Sequence, residues 1–147
     1  MPLTLAIIGG EAARFRPLVD LYRRTWRESR HDPALIDIAI HTIGFLDDTD
    51  QSAADTFYPS YSDTFTRIGK ERGWPPSTRA QFDAAISPYG SLMVGSAETV
   101  AAKARAFDRD LGGISGLTIL IDSGIISHER LMHAIELLGT KVKPMLP

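Results

Sequence analysis

Residues 3–8 form an apolar run, interrupted only by Thr4 and closed by Gly9 and Gly10, the pattern of a parallel strand covered on both faces. The period then changes. Over residues 13–30, Phe15, Leu18, Val19, Tyr22 and Trp26 recur at helical spacing, while Arg16, Arg23, Arg24, Arg27 and Glu28 take the other side. That predicts an amphipathic helix with the apolar five facing inward and Pro17 in its first turn, where a missing donor costs little. His31-Asp32-Pro33 ends it, because a residue before proline disfavours the helical region. Residues 36–46 are apolar, rich in β-branched side chains and free of proline, a second strand. Asp47, Asp48, Thr49 and Asp50 then supply a helix start, since acids and a capping oxygen meet unsatisfied amides there. The helix runs through Ala53, Ala54 and Phe57, is expected to be disturbed near Pro59, and resumes with Tyr61, Phe65 and Ile68 before Gly73 and Trp74-Pro75-Pro76.

Residues 77–90 show no clear period and predict a long ordered loop with a short helix over 79–85; residues 74–95 as a whole have the look of a lid-type insertion. Residues 92–94 are a short strand candidate. Ser96 caps a helix with Val100, Ala101, Ala104 and Phe107 on one side, stopped by Gly112-Gly113. Residues 117–121 form the third full strand. Ser127 then caps a last helix whose Leu131, Met132, Ile135 and Leu138 are expected to face inward as far as Gly139. Strand alternating with helix predicts an α/β chain of parallel strands, one domain over residues 1–147, with right-handed crossovers. Three long strands make a small sheet, whose open edges invite pairing with further strands.

Composition narrows the functions. With 147 residues, 44% of them hydrophobic, the chain can bury a core, and 16 basic against 18 acidic side chains argue against nucleic acid or an anionic membrane as partner. No cysteine is present, so disulfides, thiol nucleophiles and cysteine-based metal sites are excluded, and the cytoplasm is the expected location. No stretch approaches the ~20 apolar residues that span a bilayer. His128 and His133 resemble a zinc motif, but their spacing turns the second about 140° away, so no metal site is expected.

Several residues carry chemistry in outline. Gly9-Gly10 stands where a phosphate-cradling turn would lie, though a tight turn is the commoner reason for such a pair. His41, near the carboxyl end of a parallel strand, could be a general acid, a hydrogen-bond donor to flavin or substrate, or a satisfied core histidine. Arg79 could clamp an anion or simply be solvated. Ser123 and Gly124 with His128 flank the start of the last helix and could receive an anionic group there, unless capping by Ser127 is the whole role.

The runs Leu5-Ala-Ile-Ile-Gly-Gly-Glu11, Arg67-Ile-Gly-Lys-Glu-Arg-Gly-Trp-Pro-Pro76, Thr78-Arg-Ala-Gln-Phe82, Val94-Gly-Ser96 and Ala134-Ile-Glu-Leu-Leu-Gly139 occur in that order. Together they resemble the luciferase-like flavin-dependent monooxygenases, and the resemblance covers nearly the whole chain. Members of that family are (β/α)₈ barrels that use FMN or, in some branches, F420. The part resembled is the carboxyl-terminal portion, about the sixth strand to the eighth helix, and a full barrel needs about 250 residues. The resemblance therefore implies a partial TIM barrel that contributes one wall and the lid of a reduced-flavin pocket for a small organic substrate. It implies His41 and Arg79 near the chemistry, and Gly9, Gly10, Ser123, Gly124 and His128 near the cofactor. Relatives often carry histidine where Ile43 stands and proline where Ser127 stands. The alternative is a half-barrel interaction module that forms a homo-oligomer or pairs with a separate amino-terminal half.

Overall fold

In a computed structural model, which describes residues 1–121 and 124–147, the elements alternate as the periodicity requires. They are β1 (Leu3–Ala6), α1 (Arg16–Glu28), β2 (Ile38–Leu46), α2 (Asp50–Arg72), α3 (Arg79–Ile86), β3 (Met93–Gly95), α4 (Ala97–Leu111), β4 (Gly116–Leu120) and α5 (His128–Leu137). All strand pairs are parallel. β2 is central: β1 pairs with it from Leu3 opposite Ile38 to Ala6 opposite His41, and β4 from Ala39 opposite Gly116 to Ile43 opposite Leu120. β3 joins its carboxyl end, with Gly44 opposite Met93. A Cβ on Gly44 would stand 2.2 Å from the Met93 carbonyl oxygen, so only glycine lets these two backbones meet.

Helix starts follow the predicted caps. Thr49 accepts from the Ser52 amide (3.1 Å), Ser96 from that of Thr99 (3.3 Å) and Ser127 from that of Arg130 (3.4 Å). Thr78 and Gln81 form a reciprocal capping box, which is why the short helix in the 77–90 segment is stable enough to run to Ile86.

Four local expectations change. Pro59 lies inside an uninterrupted α2, because Phe57 and Ser60 on either side are buried and their packing outweighs the lost backbone bond. α1 stops at Glu28, and Arg30 takes a left-handed conformation before Pro33 is reached. Gly139 does not end the last helix; the chain continues as a π-turn, Leu138–Val142, drawn on by burial of Val142 and by a bond from Arg105 to the Met145 carbonyl (2.9 Å). Leu18, Met132 and Ile135, expected inward, are half exposed. They belong to the two outer helices, whereas α4 between them exposes no large apolar side chain.

The sheet has two unlike faces. Ile38, Ile40 and Thr42 of β2 align with Leu5, Leu117 and Ile119 under α1, α4 and α5, and the buried Val19, Phe107 and Ala134 come from those helices. On the opposite face Thr4, Ala39 and Gly116 form one row and Ala6, His41 and Thr118 the next, half or fully exposed. Only the carboxyl end of this face is covered: α2 lies over it, with Phe57 stacked on Phe45 at 5.8 Å. Lys103 of α4 is buried and donates to the carbonyls of Ser87 (2.6 Å) and Leu92 (2.7 Å), tying the end of α3 to the sheet; burial lowers its pKa to about 8.

Candidate functional site

The side chains of Phe57, Tyr61, Phe65, Ile68 and Arg72 recur at intervals of three and four residues and fall on one face of α2. That face looks across to Ile43 of β2, to Ile8 just beyond β1, and to Leu120 and Ile121 at the end of β4. Between them is a cavity of about 480 Å³. It stands at the carboxyl ends of parallel strands, where the loops and helices of α/β folds build their sites. Its lining is apolar apart from Tyr61, Thr64 and Arg72. Burial raises the pKa of the Tyr61 phenol, which keeps it a neutral donor at ordinary pH. At the mouth the Arg72 guanidinium stacks over Trp74, 5.1 Å from the ring centre.

Around this cavity the expected site residues are dispersed. His41 lies on the same face of β2 as Ile43 but one row nearer the amino end, between Ala6 and Thr118. Gly9 and Gly10 line an adjoining cleft of about 310 Å³ that shares Ile8 and Tyr61 with the cavity. Gly10 has φ +77°, and Nη1 of Arg14 lies 3.6 Å from where its Cβ would be, so a cation stands beside this turn. His128 opens α5 and is exposed, directly after the cap Ser127; Gly124 lies in the bend before it, and Ser123 lies outside the described residues. Arg79 is engaged elsewhere. Its Nε donates to Asp83 (2.8 Å) and its Nη1 to Asp55 (3.2 Å), while its plane sits 5.1 Å from the Tyr58 ring centre. It joins α3 to α2, and the expected 74–95 insertion rests on α2 through Phe82, which packs against Phe57, Tyr58 and Tyr61.

The acids at the start of α2 are bound in bonds of their own. Asp50 accepts from the Ser96 amide (2.7 Å) and the Thr99 hydroxyl (2.9 Å), and the Ser96 bond is the main reason its pKa is lowered. For Asp47, burial raises the pKa, but bonds from Ser52 (2.6 Å) and the Asp48 amide and the charge of Arg130 outweigh it, and the net shift is downward. His133 meets Asp48 at 2.9 Å, and donor atoms of Asp47, Asp48 and His133 lie within 4.8 Å of one another. With Arg130 3.6 Å from Asp47, the group already contains the cation that offsets its charge, and it fastens α5 to the end of β2.

Arg72 and Trp74 were not among the expected site residues. The helical stripe that leads to Arg72 is visible in the sequence, but it reads there as core packing, because nothing local shows that α2 crosses the strand ends.

No protein-family model and no curated protein matches the chain. Solved structures do. A monooxygenase from Streptomyces bottropensis superposes with a TM-score of 0.74 at 16% identity, over 96% of this chain and 40% of its own. The coenzyme F420-dependent tetrahydromethanopterin reductase of Methanopyrus kandleri gives 0.62 at 16% identity, over 98% and 45%. The oxygenating constituent of a diketocamphane monooxygenase from Pseudomonas putida, solved in complex with FMN, gives 0.57 at 19% identity, over 99% and 48%. The chain spans less than half the length of each, and over that span it has their α/β fold, a parallel sheet consistent with part of a TIM barrel.

Proposed function

We propose that this chain forms one wall and the cover of a flavin and substrate pocket in a luciferase-like oxidoreductase of the monooxygenase type, and that turnover needs further barrel strands. The observation that carries the reading is the apolar cavity at the carboxyl ends of β1, β2 and β4, beneath α2. The residues suit a flavin in two respects: the lining would accept a planar apolar ring, and the turn at Gly9 and Gly10, with Arg14 beside it, would accept a phosphate. Gly124 and His128 would add anion contacts at the start of α5. His41 would donate a hydrogen bond from the sheet face, and Arg79 would hold the cover closed through Asp55. When bound, FMN or F420 supplies the redox chemistry. The chain would hold the flavin ring at the Ile8 and Tyr61 end that the cavity shares with the Gly9 cleft, leave the Arg72 end to substrate, and keep water away with Phe57 and Phe65. Titration of the purified chain with FMN and with F420, followed by fluorescence, tests this. Weak binding without turnover is expected; tight stoichiometric binding with turnover would overturn the need for further strands, and no binding of either would overturn the pocket.

A second reading is favoured by the exposed Leu18 and Leu21 on α1 and Met132 and Ile135 on α5. Among the described residues β1 and β4 pair only with β2, so both edges of the arc are open. In that reading the chain is an interaction module that closes its edges against a second copy or a separate set of strands. With β1, β2 and β4 as barrel strands, an eight-stranded barrel still lacks five, whereas a second copy would bring only three, which favours the separate set. Sedimentation equilibrium at micromolar concentration tests the module, and a strictly monomeric folded species would remove self-association.

A further inference from the structure

We infer that the cavity beneath α2 takes an apolar molecule bearing a single anionic group at one end, which Arg72 receives at the mouth. The inference rests on the reading that this cavity is the substrate side of the pocket. Among the described residues that line the cavity Arg72 is the only charged one, and none of them is a carboxylate. Deep in the site Phe57 and Ile43 offer nothing to a charge, so an ionised group there would lose its hydration without replacement. A ligand charge must therefore stand at the opening. Arg72 pairs with no carboxylate among the described residues; it lies against the Trp74 ring, which covers a face of the guanidinium and leaves the in-plane N–H groups to an oxyanion. The surrounding turn strengthens the field, because Arg67, Lys70 and Arg72 stand against Glu71 alone. Volume and lining together suit a small organic molecule with a hydrocarbon body.

Isothermal titration of the full chain without flavin, using decanoate and decanol below the concentration at which they aggregate, tests the inference. Decanoate should bind once per chain and roughly tenfold more tightly than decanol. Arg72→Gln, at an exposed position, should erase that difference and leave decanol unchanged. Leu120→Asp, which sets a carboxylate in the half-exposed wall of the cavity, should abolish decanoate binding. Equal affinity for the two probes, no binding of either, equal weakening of both by Arg72→Gln, or decanoate binding that survives Leu120→Asp would each overturn it. Because flavin is absent from the titration, a failure of FMN and F420 to bind leaves this result standing. Flavin binding without decanoate binding removes this inference alone.

Discussion

The two faces of one strand differ more than any two elements of this fold. Ile38 and Ile40 of β2 are sealed beneath helices, whereas Ala39 and His41, each one residue away, look onto a face that none of the described elements covers until α2 crosses it at Ile43 and Phe45. A parallel strand alternates its side chains, so a single sequence run serves both purposes. The sealed face supplies most of the cohesion. The other is left free to form a cavity, and the difference teaches that stability and chemistry are divided here by residue parity.

The largest effect that tests this division is Ile40→Ala, which should cost about 2–5 kcal/mol in urea unfolding because it leaves a void under rigid helices. Its counterpart on the other face, Thr118→Ala, should stay within about 0.5 kcal/mol. A comparable loss at both positions would break the division, and would mean that a partner covers the open face in solution.

Lys103 gives an intermediate effect on the sealed side. Its folded pKa, about 8, lies below the unfolded value, so between those two values the unfolded chain holds more protons. Stability should therefore rise with pH from about 8 to about 10, by ~1–3 kcal/mol, as the buried ammonium is neutralised. Unfolding midpoints across that range should show the slope, and Lys103→Met should flatten it.

The smallest effect concerns the cover. Asp50 joins the start of α2 to the turn before α4, and its lowered pKa means that its contribution is complete above the unfolded carboxylate value and fades as pH falls through the folded one. Asp50→Asn should cost ~1 kcal/mol at neutral pH and remove part of the acid sensitivity below about pH 4. Hydrogen exchange should quicken in α2 while the amides of β2 remain protected. Faster exchange in both would show that cover and sheet open as one unit.

Much of this architecture is legible locally. Apolar runs, caps at Thr49, Ser96 and Ser127, and stops at Gly73 and Gly112 are short-range devices, and they mark the elements within a few residues. The misjudged places share a cause. Pro59 and Gly139 are breakers by local chemistry, but burial of Phe57 in one case and Val142 in the other outweighs them. Leu18, Met132 and Ile135 have the spacing of core residues, yet whether such a stripe is buried depends on a neighbouring helix, which α1 and α5 lack on their outer sides.

The site divides in the same way. His41, Gly9 and Gly10 are singled out in the sequence because the end of a strand is visible there, and such ends are where α/β sites gather. Arg79 looked equally available, and only the folded chain shows its charge taken up by Asp55 and Asp83. Arg72, by contrast, ends a stripe that reads locally as core packing, and only the fold brings it to the cavity.

By itself, then, the sequence determined the order of strands and helices and their parallel arrangement. These depend on neighbours within a turn or two of the chain. What lies over the open face of the sheet was decided by tertiary structure alone. The cavity exists because α2 crosses three strand ends drawn from residues 8, 43 and 120, and no local pattern relates positions so far apart.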